Sequence, residues 1–224
     1  MKKILIIHAH PERRSFCSRL KDEAIDYFHW QNAEVKVSDL YAMGFNPVGD
    51  RHDFTQAENP DYFKYQAEQV HAWKTDSFDV VLKAEMEKLE WCDTLIFNFP
   101  IWWFGLPAIL KGWVDRVLAM GFSYGAGKGV YENGTFKDKS AFLCFTTGGP
   151  QTAYGTDGKN GSLDTILYPI HHGMLYFVGM KVLPPFVCYA PVRLTDEERK
   201  NELLRYRTYL EQCQSLPPLF GPAH

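Results

Sequence analysis

Three short stretches carry the residue types from which chemistry could be built. Residues 8–18, HAHPERRSFCS, hold His8, His10, Arg13 and Arg14, with Arg19 just beyond. Residues 100–105, PIWWFG, set Trp102, Trp103 and Phe104 between Pro100, Ile101 and Gly105. Residues 146–155, TTGGPQTAYG, place Thr146, Thr147, Gly148 and Gly149 ahead of Tyr154. A loop that runs into a helix N-terminus offers free N–H groups and a favourable dipole to a phosphate, and the arginines would add charge. Clustered aromatics offer a wall for a flat ring, or else fold onto their own core. Adjacent glycines let backbone N–H groups approach a planar ring closely. A flavin needs donors of that kind along its pyrimidine edge, where negative charge gathers on reduction. An isolated Gly-Gly reads as a turn; beside PIWWFG it reads as part of a site.

The three stretches meet only if each follows a strand of one sheet. Ile4 to Ile7 is a short unalternating apolar run, as expected of a strand buried on both faces. Thr94, Leu95, Ile96, Phe97 and Phe99, broken only by Asn98, make a second, and Ala141 to Phe145 within residues 139–147 a third. Between them, Ser15 is a suitable N-cap for a helix to about Trp30, and residues 34–40 alternate like an edge strand with one wet face. Residues 41–60 are an irregular loop, and 63–73 and 78–91 have helical spacing. Pro107 suits the first turn of a helix carrying Ile109, Leu110, Trp113, Val114, Val117 and Leu118. Residues 163–178 are apolar at helical spacing with a kink expected at Pro169. Residues 182–189 form a last strand whose Pro184 and Pro185 place it at an edge, and Thr195 with Glu198 makes a capping box for a helix to about Cys213. Five strands alternating with helices predict an α/β, flavodoxin-like, doubly wound parallel sheet of order 2-1-3-4-5, with residues 1–224 as one domain. In that order the three loops lie side by side at the carboxyl ends of the strands, where open α/β sheets bind ligands.

Composition narrows the partners. A formal charge of −3 without a long basic run gives no electrostatic case for nucleic acid or an anionic membrane. Five scattered cysteines with no CxxC pair suit a reducing compartment. The apolar run after Met1-Lys2-Lys3 is too short for a secretory signal, and no segment reaches membrane-spanning length. A cytoplasmic protein with small-molecule partners is expected. Neither GxGxxG nor GxxxxGK[ST] is present. His8 with His10, and His171 with His172, lack matched carboxylate or Cys partners, so hydrogen bonding rather than metal binding is expected of them.

HAHPERRSF, DLYAMGFNP, FPIWWFGLPAILKGWVDRV, TTGG followed by Tyr154, and LYPI with GMLYFVG closely resemble the FAD-dependent NAD(P)H quinone dehydrogenases, the DT-diaphorase family, and their bacterial relatives. The likeness runs from about Ile4 to Phe220 and is to the short form without a C-terminal extension. It implies a homodimer with one FAD per subunit, reducing quinones with NADH or NADPH by a ping-pong hydride transfer through flavin N5. Carried over by position, FAD would meet His10, Phe16, Cys17, Ser18 and Arg19, then Pro100, Ile101, Trp102, Trp103 and Phe104, then Thr146, Thr147, Gly148, Gly149 and Tyr154, and Arg199 on the last helix. Trp103, Phe104, Gly148, Gly149, Tyr124 and Phe177 would wall the substrate slot, some from the partner subunit, and a side chain at Gly149 would block it. Tyr154 and the Gly148 and Gly149 amides would stabilise charge on the reduced ring. This chain departs from the mammalian pattern in having Asn160 for a histidine, Ala126 for a second lid tyrosine and Cys17 for an asparagine. An alternative is a flavin-bound regulatory subunit of a membrane transport system such as a potassium-efflux channel; an FMN electron carrier fits the fold but not the aromatic slot.

Overall fold

A computed structural model describes residues 1–221. One parallel sheet is built from β1 (Lys3–His8), β2 (Glu34–Asp39), β3 (Thr94–Pro100), β4 (Ser140–Thr147), β5 (Lys181–Val182) and β6 (Phe186–Tyr189). Its order is β2-β1-β3-β4, with β5 and β6 both lying along the remaining side of β4. The expected 2-1-3-4-5 order therefore holds, and the fifth position is filled by two pieces. Pro184 and Pro185 explain the break, because neither can donate a ladder hydrogen bond.

The helices are α1 (Phe16–Trp30), α2 (Tyr65–Thr75), α3 (Val80–Trp91), α4 (Ala108–Val117), α5 (Leu163–Ile170) and α6 (Asp196–Gln212). Strand alternation divides the core. Leu5, Ile7, Leu95, Phe97, Leu143 and Phe145 pack with α3, α4 and α5, whereas Ile4, Ile6, Ile96 and Phe142 pack with α1 and α6. The unalternating runs are thus apolar because both faces are covered. Ser15 caps α1 by accepting from the Ser18 N–H, and the reciprocal Thr195–Glu198 box caps α6. Pro107 stands at the cap of α4, one residue before its first turn.

The loop after β2 is fastened to α4. Asp53 is fully buried, and its Oδ1 accepts from Arg116 Nε at 2.9 Å and Nη2 at 2.7 Å. The Tyr65 hydroxyl donates to Asp53 Oδ2 at 2.6 Å, and Arg116 Nη1 donates to the Asn46 carbonyl. Gly112 lets this loop lie directly on α4: a Cβ there would sit 2.2 Å from the Pro47 carbonyl oxygen.

Pro169 lies inside α5, one residue before its end. After Ile170 the chain widens into a π-helical turn, His171–Tyr176, that delivers Phe177. His171 is 4% exposed and its Nε2 has no hydrogen-bond partner. Burial lowers its pKa from 6.5 to about 4. The unfolded chain then binds a proton that the folded chain refuses, so stability is intact above pH 6.5 and declines as the pH falls toward 4. The size is on the order of 3 kcal/mol. We expect His171→Leu to flatten the difference in urea-derived stability between pH 7 and pH 4.5; an undiminished difference would show that acid sensitivity lies elsewhere.

Candidate functional site

The ends of β1, β3 and β4 meet through buried polar groups. His8 is 1% exposed; its Nδ1 lies 2.5 Å from Asn98 Oδ1 and its Nε2 lies 3.2 Å from Ser18 Oγ. Asn98 Nδ2 donates to the Cys144 carbonyl at 3.4 Å, which leaves Oδ1 as the acceptor and puts the His8 proton on Nδ1. Burial lowers the pKa of His8 and holds it neutral. Among the described residues no group of three potential ligands could hold a metal. The expected hydrogen-bonding role of His8 stands, and Asn98 is the residue that sequence reading noted only as a break in an apolar run.

The first loop opens a cavity of about 870 Å³ between the N-terminus of α1 and α6. His10 and Phe16 line it, with Arg13, Arg14 and Arg19 on one side and Arg199 and Lys200 on the other. Its acidic lining residue, Asp196, is paired with Arg199 at 3.1 Å. Such a chamber suits an anion; of the first-turn N–H groups of α1, that of Ser18 is taken by the Ser15 hydroxyl, and those of Phe16 and Cys17 have no intrahelical carbonyl. Two residues expected to meet a ligand there have side chains engaged within the protein. The Cys17 side chain is buried against Asn98, and burial keeps its thiol protonated. The single Ser18 hydroxyl proton has acceptors in reach in the Glu12 carbonyl at 2.9 Å and His8 Nε2 at 3.2 Å.

The second loop is a tight turn in which Trp102 and Gly105 exchange N–H···O bonds of 3.1 and 3.0 Å. Its two central residues, Trp103 and Phe104, have left-handed φ angles of 49° and 57°. That conformation is ordinarily given to Asn-Gly, and costs a residue with a side chain roughly 1–2 kcal/mol. Trp103 is nevertheless 98% exposed and Phe104 50% exposed, while Ile101 is buried. The rings are therefore held out from the core at a cost, which removes the reading of PIWWFG as a loop folded onto itself.

In the third loop Thr146 and Thr147 are buried at the end of β4, and Thr147 Oγ1 donates to the Gly149 carbonyl at 2.7 Å. A Cβ on Gly148 would meet nothing within 4 Å. One on Gly149 would lie 3.3 Å from Tyr154 Cε2 and 3.4 Å from Asn160 Nδ2. The open side expected at Gly149 thus belongs to Gly148, and Gly149 is flanked by Tyr154 and Asn160. Asn160 is anchored by its N–H to the Ala153 carbonyl at 2.9 Å, and Tyr154 packs on Tyr189 with ring centroids 6.0 Å apart.

Tyr124 and Phe177 lie elsewhere in the chain. Their rings meet edge to face at 5.5 Å and line a groove of about 330 Å³ that shares no residue with the cationic cavity or with the second and third loops. Within one chain, then, His10, Arg19, Thr146 and Arg199 come together, Gly149 meets Tyr154 and Asn160, and Tyr124 with Phe177 forms a separate wall. Lys200, Asp196 and Tyr189 had no sequence signal of their own.

A parallel sheet of this order, with an anion chamber and exposed aromatics at its carboxyl ends, defines the flavodoxin-like class, and a family model of the flavodoxin-like fold matches residues 2–210. A ribosyldihydronicotinamide dehydrogenase (quinone) from Pongo abelii is 42% identical over 224 residues, covering 100% of this chain and 96% of that one. NAD(P)H dehydrogenase (quinone) 1 from Cavia porcellus is 39% identical over 98% of this chain and 80% of its own. A crystal structure from Klebsiella pneumoniae, provisionally assigned as a quinone reductase, superposes with a TM-score of 0.94 at 38% identity, over 98% of this chain and 87% of that one. The chain belongs to the flavodoxin-like family of these quinone dehydrogenases.

Proposed function

We propose that this chain binds FAD and passes two electrons from a reduced nicotinamide to a quinone, the two substrates taking turns in one slot. Membership of the family makes it an NAD(P)H quinone oxidoreductase. The observation that carries the FAD reading is the placement of a cationic chamber, reaching from α1 to Arg199, Lys200 and Leu203 on α6, beside the loop of Gly148 and Gly149. A dinucleotide has two phosphates for the five cationic side chains that line this chamber, and FMN has one. The fit to a planar ring rests on Gly148, whose missing side chain leaves open space, and on aromatic rings turned outward at Trp103 and Phe104.

When bound, the flavin supplies hydride acceptance and return at N5. The chain's own groups position and stabilise. Arg13, Arg19 and Arg199 with the α1 amides hold the phosphates. The Gly148 and Gly149 N–H groups and the Tyr154 hydroxyl meet the edge where negative charge collects. Asn160 stands with Tyr154 beside Gly149 and, being an amide, stores no proton. Trp103 and Phe104 keep substrates flat, and Tyr124 with Phe177 closes the slot from a second copy of the chain, which accounts for their separation from Gly148 within one copy. No helix among the described residues is long and apolar enough to cross a bilayer. The channel-associated reading gains no support from relatives named as dehydrogenases.

The purified protein should be yellow and release a flavin with the mass of FAD; a colourless protein that takes up no added FAD would sink the proposal. Stopped-flow reduction with NADH, NADPH and ribosyl dihydronicotinamide should rank the donors. Tyr154→Phe should slow reduction by roughly one to two powers of ten, the size of one lost charge-stabilising donor. Asn160→His should add a pH dependence between about pH 6 and 8, where an unperturbed imidazole titrates. An unchanged rate in the first variant and an unchanged profile in the second would leave the backbone amides as the sole stabilisers.

A further inference from the structure

We infer that Gln66 on α2 is a positioning residue that sets which way the Tyr124 hydroxyl donates, and so tilts the slot toward quinones. This rests on the reading above, in which Tyr124 walls the slot. Gln66, Gln69 and Trp73 stand three and four positions apart, so they share one face of α2. All three meet the turn that carries Tyr124. The Trp73 ring packs on Phe122 with centroids 5.4 Å apart, and a Cβ on Gly121 would lie 3.2 Å from Trp73 Cβ. Gln69 is 3% exposed, and its Oε1 accepts from the Met120 N–H at 3.0 Å. The turn closes on itself where the Gly121 N–H donates to the Tyr124 carbonyl at 2.8 Å. Gln66 reaches the tip of the side chain, its Nε2 donating to the Tyr124 hydroxyl at 3.0 Å.

The Tyr124 ring has other supports: Phe177 meets it edge to face, and Gln69 anchors the start of its turn. What Gln66 adds is polarity. A phenol has one proton to give and lone pairs with which to accept. With the amide N–H of Gln66 on a lone pair, the proton points away from α2, and Tyr124 enters the slot as a donor. A quinone offers only acceptor oxygens, whereas the carboxamide of a reduced nicotinamide offers an N–H as well as an oxygen. The same tyrosine turned to accept would still suit the nicotinamide and would leave the quinone oxygen unmet. Gln66 therefore acts on the choice between substrates, through a residue that touches them, while lining neither the cationic chamber nor the groove of Tyr124 and Phe177 itself.

Gln66→Glu keeps the length of the side chain and exchanges the donor for an acceptor, which draws the Tyr124 proton back toward α2. Gln66 is exposed, so the fold has no reason to reject the change. The test uses the FAD-loaded protein with NADH and menadione, because kcat/KM for each substrate of a two-step exchange reports its own half-reaction. In Gln66→Glu, kcat/KM for menadione should fall by roughly three- to tenfold, the size of one lost hydrogen bond, and kcat/KM for NADH by less than about twofold. In a Tyr124→Phe background, where no hydroxyl remains to be turned, adding Gln66→Glu should move the menadione value by less than about twofold. A glutamine that only seats α2 would lower both values together, and its loss would persist without the hydroxyl. Either of those results overturns the inference, as does a parental menadione value in Gln66→Glu or in Tyr124→Phe alone; in each case a parent that carries FAD and reduces menadione leaves the quinone reading standing. A parent that does neither overturns both.

Discussion

Gly148→Val will abolish most quinone turnover, by about two powers of ten or more, while leaving the fold intact. The added Cβ meets no protein atom within 4 Å, and Gly148 holds no positive φ that would strain an L side chain. The protein therefore has no reason to reject the valine. The loss comes from filling space that the proposed chemistry needs empty, since reacting groups displaced by even an ångström lose orders of magnitude in rate. Flavin content separates two routes to the loss: a bound flavin with no turnover means a blocked substrate slot, and an empty protein means that the ring itself occupies that space. Gly149→Val is the contrast. Its side chain would press on the Tyr154 ring and the Asn160 amide, so its effect should resemble that of Tyr154→Phe. Parental turnover by Gly148→Val would show that the open space is not the slot.

The largest loss of stability is expected at Arg116→Leu, far from that chemistry. Asp53 is fully buried and takes two hydrogen bonds on Oδ1 from the Arg116 guanidinium, with His52 Nε2 3.4 Å from the same oxygen. Removing the cation leaves a carboxylate in the interior with the Tyr65 hydroxyl on its other oxygen. Breaking one side of a buried pair typically costs about 3–5 kcal/mol, a large share of the roughly 5–15 kcal/mol that holds a domain together. Urea unfolding should show a loss of that size, and a loss below about 1 kcal/mol would mean that the loop after β2 is seated by other contacts. At temperatures where the variant remains folded, flavin content should match the parent, because neither Asp53 nor Arg116 lines the cationic chamber.

The parts of this molecule that were legible beforehand are those where one segment decides its own fate. Ile4 to Ile7 and Ala141 to Phe145 are β-prone and have no polar face, so only a doubly covered strand suits them. Thr195 and Glu198 cap a helix with atoms three residues apart. Pro184 and Pro185 put the last strand at an edge without help from any neighbour, although not the split they cause. What stayed hidden depends on distant pairs. Asp53 and Arg116 are 63 positions apart, and neither residue type announces burial. The π-helical turn after Pro169 depends on what α5 must deliver to the groove of Tyr124 and Phe177. Cys17, Ser18 and Thr147 were legible as members of the right loops, but the direction of each side chain was decided by Asn98, His8 and Gly149.

The turn at Trp103 and Phe104 sets a conflict for anyone who tries to improve this protein. Both residues hold a backbone shape better suited to Asn-Gly, so substitution toward that pair relieves about 1–2 kcal/mol per residue. A library sorted by heat resistance alone will reward that exchange, since nothing in the chain's own core misses a ring that is 98% exposed. The survivors would be robust and inert. Durable catalysts from this scaffold will come from rounds that require turnover after heating, with residues 103 and 104 withheld from mutagenesis and the gains sought in the loop after β2.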